Sequence, residues 1–183
     1  MLIAATGFAG AGKTTALRYL ATLGVGNYFY AGGIVTRAVA RRGLPPGPAS
    51  ERLVRDALRA EGGMAALAVC AEPELRALLT SAPAVLIDAI CNAEEADFYR
   101  EHFGGEIFLL ALDAPFAQRA ARLAERPLRP MSARELEARD HYETEKLRLD
   151  TVIARADFTL SNTAGMDELK LGLRNLAAQH LSR

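Results

Sequence analysis

Short apolar runs alternate along the chain with longer segments whose apolar positions recur every three or four residues. Five of the short runs read as strands: LIAAT (2–6), NYFYAG (27–32), AVLID (84–88), EIFLLAL (106–112) and DFTLSN (157–162). AVLID is apolar at consecutive positions, as a parallel strand covered on both faces should be. Helical spacing fills the intervals. One helix is predicted from Lys13 to about Leu23, and another runs through Val39 and stops at Arg42-Gly43. LPPGP (44–48) forces an extended connection, Ser50 is placed to cap a helix from Glu51 to Glu61, and Gly62-Gly63 ends it. Residues 64–80 are rich in Ala and Leu but contain Pro73, which predicts two short helices or one kinked helix. Further helices are predicted over Glu94–Phe103, Pro115–Ala124 and Met166–Leu181. ERPLRPM (125–131) is a proline-broken, arginine-rich connector, after which Ser132-Ala133-Arg134-Glu135 forms a capping box opening a long helix to about Arg155.

Strands alternating with helices imply right-handed crossovers and a parallel sheet with helices on both faces, a three-layer α/β/α fold. A chain of 183 residues, 50% of them apolar, can bury its core as one domain with room for a small insert. Acidic and basic residues balance at 22 each, so no bulk field favours nucleic acid or an anionic membrane as a partner. The two cysteines, Cys70 and Cys91, supply neither a disulfide framework nor zinc-ligand spacing. No apolar run reaches membrane-spanning length and the N-terminus lacks a basic signal region, so a cytoplasmic location is expected.

Between the first strand and the first helix lies Gly7-Phe8-Ala9-Gly10-Ala11-Gly12-Lys13-Thr14, a match to G-x-x-x-x-G-K-[ST] in its required strand–turn–helix setting. Glycines let the backbone curl until several N–H groups face one point, and the helix start adds its positive dipole end. Gly7, Gly10, Ala11, Gly12, Lys13, Thr14 and Thr15 are therefore expected to hold the phosphates of ATP. Lys13 would reach the β- and γ-phosphates, and Thr14 would join the coordination of Mg2+. Lysine is scarce here, occurring otherwise only at Lys146 and Lys170, which argues against a chance match. Asp88 ends the third strand, where a carboxylate can hold magnesium or its water through Thr14; the other reading is a helix-capping aspartate.

With these segments in order, the chain resembles P-loop kinases of the dephospho-coenzyme A kinase and nucleoside-monophosphate kinase type, and most of all a small group of uncharacterised kinase-like relatives of them. The resemblance covers nearly the whole chain. It is carried by GFAGAGKT, RRGLPP (41–46), VLIDAICNAEEADFYREHFG (85–104), FLLALDAPFAQRAARLAERP (108–127) and RADFTLSN (155–162). It implies one P-loop kinase-like domain over 1–183, an acceptor-binding insert over about 33–80 and an arginine-rich lid over about 122–135. Arg122, Arg126 and Arg129 would be lid residues, with Arg139 on the returning helix, their guanidinium forks matching a transferring phosphoryl group. Asn162 would lie in the loop that contacts adenine.

The acceptor side departs from the resemblance. Relatives usually end the second strand in Gly-Asp-x-x-Arg, whereas this chain has Gly32-Gly33-Ile34-Val35-Thr36; where relatives often have Asp-Gly-x-Arg, it has Asp88-Ala89-Ile90-Cys91. Residues 27–36 contain no carboxylate to act as a base toward a hydroxyl, while Arg37, Arg41 and Arg55 are available to bind an anion. The expectation is a kinase moving the ATP γ-phosphoryl group to a small, phosphorylated, nucleotide-like or coenzyme-like acceptor. The alternative is a degenerate ATP-binding module with a sensing or partner-binding role. Cys91 and the isolated His102, His141 and His180 read as packing or surface residues.

Overall fold

The computed structural model describes residues 1–105 and 107–181. Five strands, β1 (Leu2–Thr6), β2 (Asn27–Tyr30), β3 (Val85–Asp88), β4 (Ile107–Asp113) and β5 (Phe158–Ser161), form one parallel sheet in the order β2-β3-β1-β4-β5. Between them run α1 (Lys13–Thr22), α2 (Gly32–Arg41), α3 (Pro48–Gly62), α4 (Ala66–Leu79), α5 (Ala93–His102) and α6 (Phe116–Ala124). α7 (Ala133–Glu145) and α8 (Leu149–Ala154) precede β5, and α9 (Met166–Leu176) follows it, continuing into a π-helical turn over Ala177–Leu181.

Strand parity divides the core into two layers. Leu2 and Ala4 of β1, Val85 and Ile87 of β3 and Leu109 of β4 face one side, where they meet Leu75 of α4, Ala96 and Tyr99 of α5 and Val152 of α8. Ile3, Ala5, Leu86, Leu110 and Leu112 face the other side and meet Leu17 and Leu20 of α1 and Leu169 and Leu173 of α9. The three central strands are buried almost throughout, whereas at the edges β2 exposes its two ends, Asn27 and Tyr30, and β5 exposes alternate residues. The fold is thus a three-layer α/β/α sandwich. Its register sets Asp88, the last residue of β3, opposite Ala5 of β1, so the carboxyl ends of both strands open toward the same rim.

Three local expectations change, and an open one, for residues 64–80, resolves to a single helix. α3 begins at Pro48, so Ser50 lies inside its first turn; proline at that position has the helical φ already and no amide to leave unbonded. Residues 66–79 make one helix around Pro73, because Pro73 and Val69, the residue four before it whose usual amide partner proline lacks, are both exposed to solvent. The helix opened by Ser132 ends at Glu145 rather than near Arg155: Arg148 takes a left-handed φ of 52°, and the turn lets both Leu147 and Leu149 bury. The fourth strand runs from Ile107 to Asp113; Glu106, expected to open it, lies outside the described residues. No described helix is long and apolar enough to cross a membrane.

Pro73 offers a test of α4. A proline inside a helix costs about 3 kcal/mol, against less than about 1 kcal/mol gained from restricting the unfolded chain. Because the surrounding backbone has already adapted, Pro73→Ala is expected to raise stability by about 1 kcal/mol in urea denaturation. A destabilised variant would show that the proline is built into the packing of α4.

Candidate active site

The loop from Gly7 to Gly12 joins the carboxyl end of β1 to the start of α1. Two of its glycines are obligatory on both conformational and steric grounds. Gly7 has φ 124° and a Cβ there would stand 2.3 Å from the Leu112 carbonyl oxygen; Gly12 has φ 106° and a Cβ there would stand 2.4 Å from Asn162 Nδ2.

Every carbonyl from Gly7 to Ala11 accepts a hydrogen bond from a side chain. Lys13 Nζ donates to Gly7 O at 2.5 Å and to Phe8 O at 2.9 Å. Arg119 Nη1 donates to Ala9 O at 3.1 Å, Arg122 Nη1 to Gly10 O at 3.5 Å and Asn162 Nδ2 to Ala11 O at 2.9 Å. In a planar peptide the N–H points opposite to the C=O, so carbonyls held outward leave amides facing inward. The amides of Gly10, Gly12, Lys13, Thr14 and Thr15 find no protein acceptor among the described residues. Unpaired donors converging at the start of α1 form a nest for an anion.

Arg119 is the buried clamp of this loop. Beyond Ala9 it donates from Nε to Ala114 O at 3.1 Å and grips the Asp140 carboxylate with both terminal nitrogens at 3.1 and 2.7 Å. Its guanidinium also lies 5.2 Å from the Phe8 ring centroid and 5.5 Å from that of Phe116. Sequence reasoning passed over Arg119, although it stands three residues before Arg122 on one helix and opens the arginine cluster.

Beside the loop, Thr14 Oγ1 and Tyr28 OH both donate to Asp88 Oδ2, each at 2.6 Å. Burial and the bond to Asp88 raise the Tyr28 pKa, so the phenol stays a donor. Tyr28, on the edge strand, carried no signal in the sequence beyond its β-propensity. Burial lowers the Lys13 pKa, while Glu143 and Asp88 pull it back up and Arg139 opposes them. Burial, with Glu95 and Glu143 nearby, pushes the Cys91 thiol up to about 12, which leaves it protonated and a poor nucleophile.

The arginines divide into two groups. Arg122 and Arg126 line a cleft of about 350 Å³ together with Gly10, Gly12, Thr15 and Asn162, and Met166 and Leu169 add apolar surface to it. Arg122 is held there by Asn162 O at 2.8 Å. Asn162, expected beside a base, turns its side chain onto the loop and is itself fixed by its amide bond to Asp113 O at 2.7 Å. Arg129 turns away from the loop and makes a bidentate pair with Glu51 at 3.0 and 2.7 Å; Arg55 approaches the same carboxylate at 4.0 Å. Arg139 Nε donates to Glu143 Oε1 at 2.8 Å, and Arg37 is ion-paired with Glu74. Arg41 is exposed in the last turn of α2, about 13 Å along the helix axis from Gly32 at 1.5 Å per residue.

The model of a family described as an AAA domain matches residues 3–144. A UPF0200 protein of Thermococcus sibiricus is 32% identical over 180 residues, spanning 97% of this chain and 94% of that protein. Among solved structures, TT1252 from Thermus thermophilus is similar with a TM-score of 0.64 at 21% identity, covering 100% of this chain and 98% of that one. A shikimate kinase from Acinetobacter baumannii in complex with shikimate gives a TM-score of 0.57 at 20% identity, covering 99% and 95%. Structural likeness at such identities is a likeness of fold: a kinase-like P-loop architecture.

The clamp is testable by stability. Breaking a buried ion pair by deleting one partner costs about 3–5 kcal/mol, because the other charge stays buried. Arg119→Ala is expected to lose about 3 kcal/mol in urea denaturation, with Arg119→Lys intermediate since one ammonium cannot reach all its acceptors. An Arg119→Ala protein as stable as the parent would show that the loop does not depend on this side chain.

Proposed function

The chain belongs to the UPF0200 family, and from that premise and the geometry of residues 7–15 we propose that it is an ATP-dependent kinase acting on a small molecule. The observation that carries this reading is the set of three loop carbonyls, of Ala9, Gly10 and Ala11, held outward by other side chains, with unpaired amides and an ammonium converging beside a carboxylate. Such a nest suits the tail of a nucleoside triphosphate. Lys13 now rests on neutral carbonyl oxygens, and anionic phosphate oxygens make stronger, charge-assisted acceptors for it. The cleft lined by Arg122, Arg126, Met166 and Leu169 is the place for the nucleoside, with cations on one side and apolar surface on the other.

The Thr14 hydroxyl and Asp88 carboxylate fit Mg2+. Both are hard oxygen donors already 2.6 Å apart, and magnesium takes one or two such groups alongside water and phosphate oxygens. Among the described residues no group of three His, Cys, Asp or Glu forms a protein-only metal cage, which suits an ion shared with its nucleotide. Bound there, it would neutralise charge between the β- and γ-phosphates. Thr14 and Asp88 would orient it, Lys13 would stabilise charge on the leaving phosphate, and Arg139 together with the connector arginines Arg122 and Arg126 would stabilise the transferring group. Arg129, now on Glu51, would join only by exchanging that partner.

For the acceptor we retain a small nucleotide-like or coenzyme-like molecule bound against α2 and α3 over residues 33–80. Arg37 and Arg55 would have to trade Glu74 and Glu51 for it. Their present pairing also favours a second reading, a module that binds ATP without transferring phosphate.

One experiment separates these readings. Titration with magnesium and ATP is expected to saturate, and Lys13→Ala to weaken it by about 10- to 100-fold, the worth of a hydrogen bond to a charged group. ADP production is then followed over nucleoside monophosphates, dephospho-coenzyme A, small phosphates and small alcohols. Turnover above that of Lys13→Ala with any of them supports the kinase; saturable binding without it supports the module. Failure of ATP to saturate would remove both.

A further inference from the structure

Glu143 is a carboxylate for which the motifs above give no use. It lies on α7, is only 6% exposed, and gives Oε1 to Arg139 Nε at 2.8 Å. Its other oxygen, Oε2, is buried and has no hydrogen-bond partner. A buried carboxylate oxygen without a donor is costly, so such an atom in a folded protein asks for a ligand. Its surroundings say which kind. One turn earlier on the same helix, Asp140 is gripped by Arg119, which also holds Ala9 O, and Leu136 packs against Ala9, so α7 is docked on the phosphate nest; the Glu143 charge acts on both Lys13 and Cys91. Lys13 marks the end of the phosphate nest, and Cys91 sits three residues beyond Asp88, where β3 gives way to the acceptor side. Glu143 therefore stands where a transferring phosphoryl group and its acceptor would meet.

Among the described residues Glu95 also has a buried oxygen, Oε1, without a hydrogen-bond partner, but it faces Arg59 at 3.7 Å, and its Oε2 accepts from the Cys91 amide at 3.0 Å. Asp88 has Oδ2 occupied by Thr14 and Tyr28. The segment 27–36 holds no acidic residue. We infer that Glu143 Oε2 receives the O–H of a hydroxyl-bearing acceptor and takes its proton as that oxygen attacks the γ-phosphorus of ATP. The inference rests on the kinase reading and narrows it to an alcohol as the attacking group. The acceptor O–H bond breaks and its proton passes to Glu143. An O–P bond forms, and the bond from the γ-phosphorus to its bridging oxygen breaks with the electron pair leaving on ADP. Glu143 afterwards returns the proton to solvent. Arg139, held on Oε1, fixes the carboxylate's orientation. Acceptor-side arginines are then available to hold a phosphate elsewhere on the same molecule, which reconciles their presence with an alcohol nucleophile.

Glu143→Gln separates the base from a merely positioning role, because the amide oxygen can still accept from Arg139 while the side chain can no longer take a proton. Magnesium–ATP affinity is measured by titration, and transfer by phosphorus NMR with glycerol, ribose, nucleosides and dephospho-coenzyme A as alcohols and nucleoside monophosphates as phosphate acceptors. The wild-type protein is expected to phosphorylate at least one alcohol. Glu143→Gln should keep ATP affinity within about threefold while losing about 100-fold or more in transfer rate, the usual range for a general base. Glu143→Asp, with its carboxylate withdrawn by one methylene, should fall between and serves if the glutamine variant does not fold. Transfer by Glu143→Gln within threefold of wild type, transfer only to monophosphates, or saturable ATP binding with no alcohol phosphorylated would each overturn the inference and leave ATP binding standing. Absence of saturable ATP binding would overturn the kinase reading itself.

Discussion

The site depends on one constraint: the successive carbonyls of Ala9, Gly10 and Ala11 must face outward so that the neighbouring amides can face inward. The holders come from distant parts of the chain, Arg119 and Arg122 from α6, and Asn162 from the end of β5. Asn162 is placed by the pairing of β4 with β5, since its own amide binds Asp113. The loop cannot take this form until the sheet is in register, and a buried carbonyl left without its donor would cost about 1–3 kcal/mol. Folding and preparation of the nest are one event, which is why a loop rich in glycine can nonetheless be rigid.

Two kinds of arginine contact follow from burial. The Arg119–Asp140 pair is largely out of water and serves the permanent architecture. The contacts joining the 125–132 connector and α7 to α3 are of another kind. Arg129 with Glu51 has a half-exposed guanidinium, while Arg52 over the Tyr142 ring and Tyr142 OH with Asp56 lie at the surface. Exposed pairs are worth about 1 kcal/mol or less each, so this clasp can open and close without disturbing the loop. An arginine-rich sequence therefore carries two unrelated messages, and only the surroundings of each guanidinium tell them apart.

The strands, the phosphate-loop motif and the Ser132–Glu135 capping box were legible because each is written in neighbouring residues. What escaped depends on contacts between distant ones. The break at Arg148 has no glycine or proline to announce it; it follows from Leu147 and Leu149 both finding places in the interior. Arg119 looks like any arginine on an amphipathic helix until the loop folds onto it. Tyr28 is an ordinary strand aromatic until β2 pairs with β3 and brings its hydroxyl to Asp88. Glu143 gave no signal of its own; packing α7 against the loop buries the glutamate and leaves its partner Arg139 half-exposed. The roles expected of Arg37 and Arg55 rested on their places along the chain and that of Arg129 on resemblance, and neither can see that each has an acidic neighbour.

The position of Glu143 also bears on timing. In the monophosphate-kinase resemblance the polar groups facing the acceptor belong to the end of β2, a fixed part of the sheet. Here the carboxylate belongs to α7, the helix that follows the connector, and its neighbour Tyr142 bonds α3. One turn before Glu143 on the same helix, Asp140 is gripped by Arg119, which also holds Ala9 O, and Leu136 packs against Ala9 and Leu123. The proposed base and the loop are therefore fixed to one another by the same buried contacts, and in the proposed reaction the carboxylate would be in place before either substrate arrives.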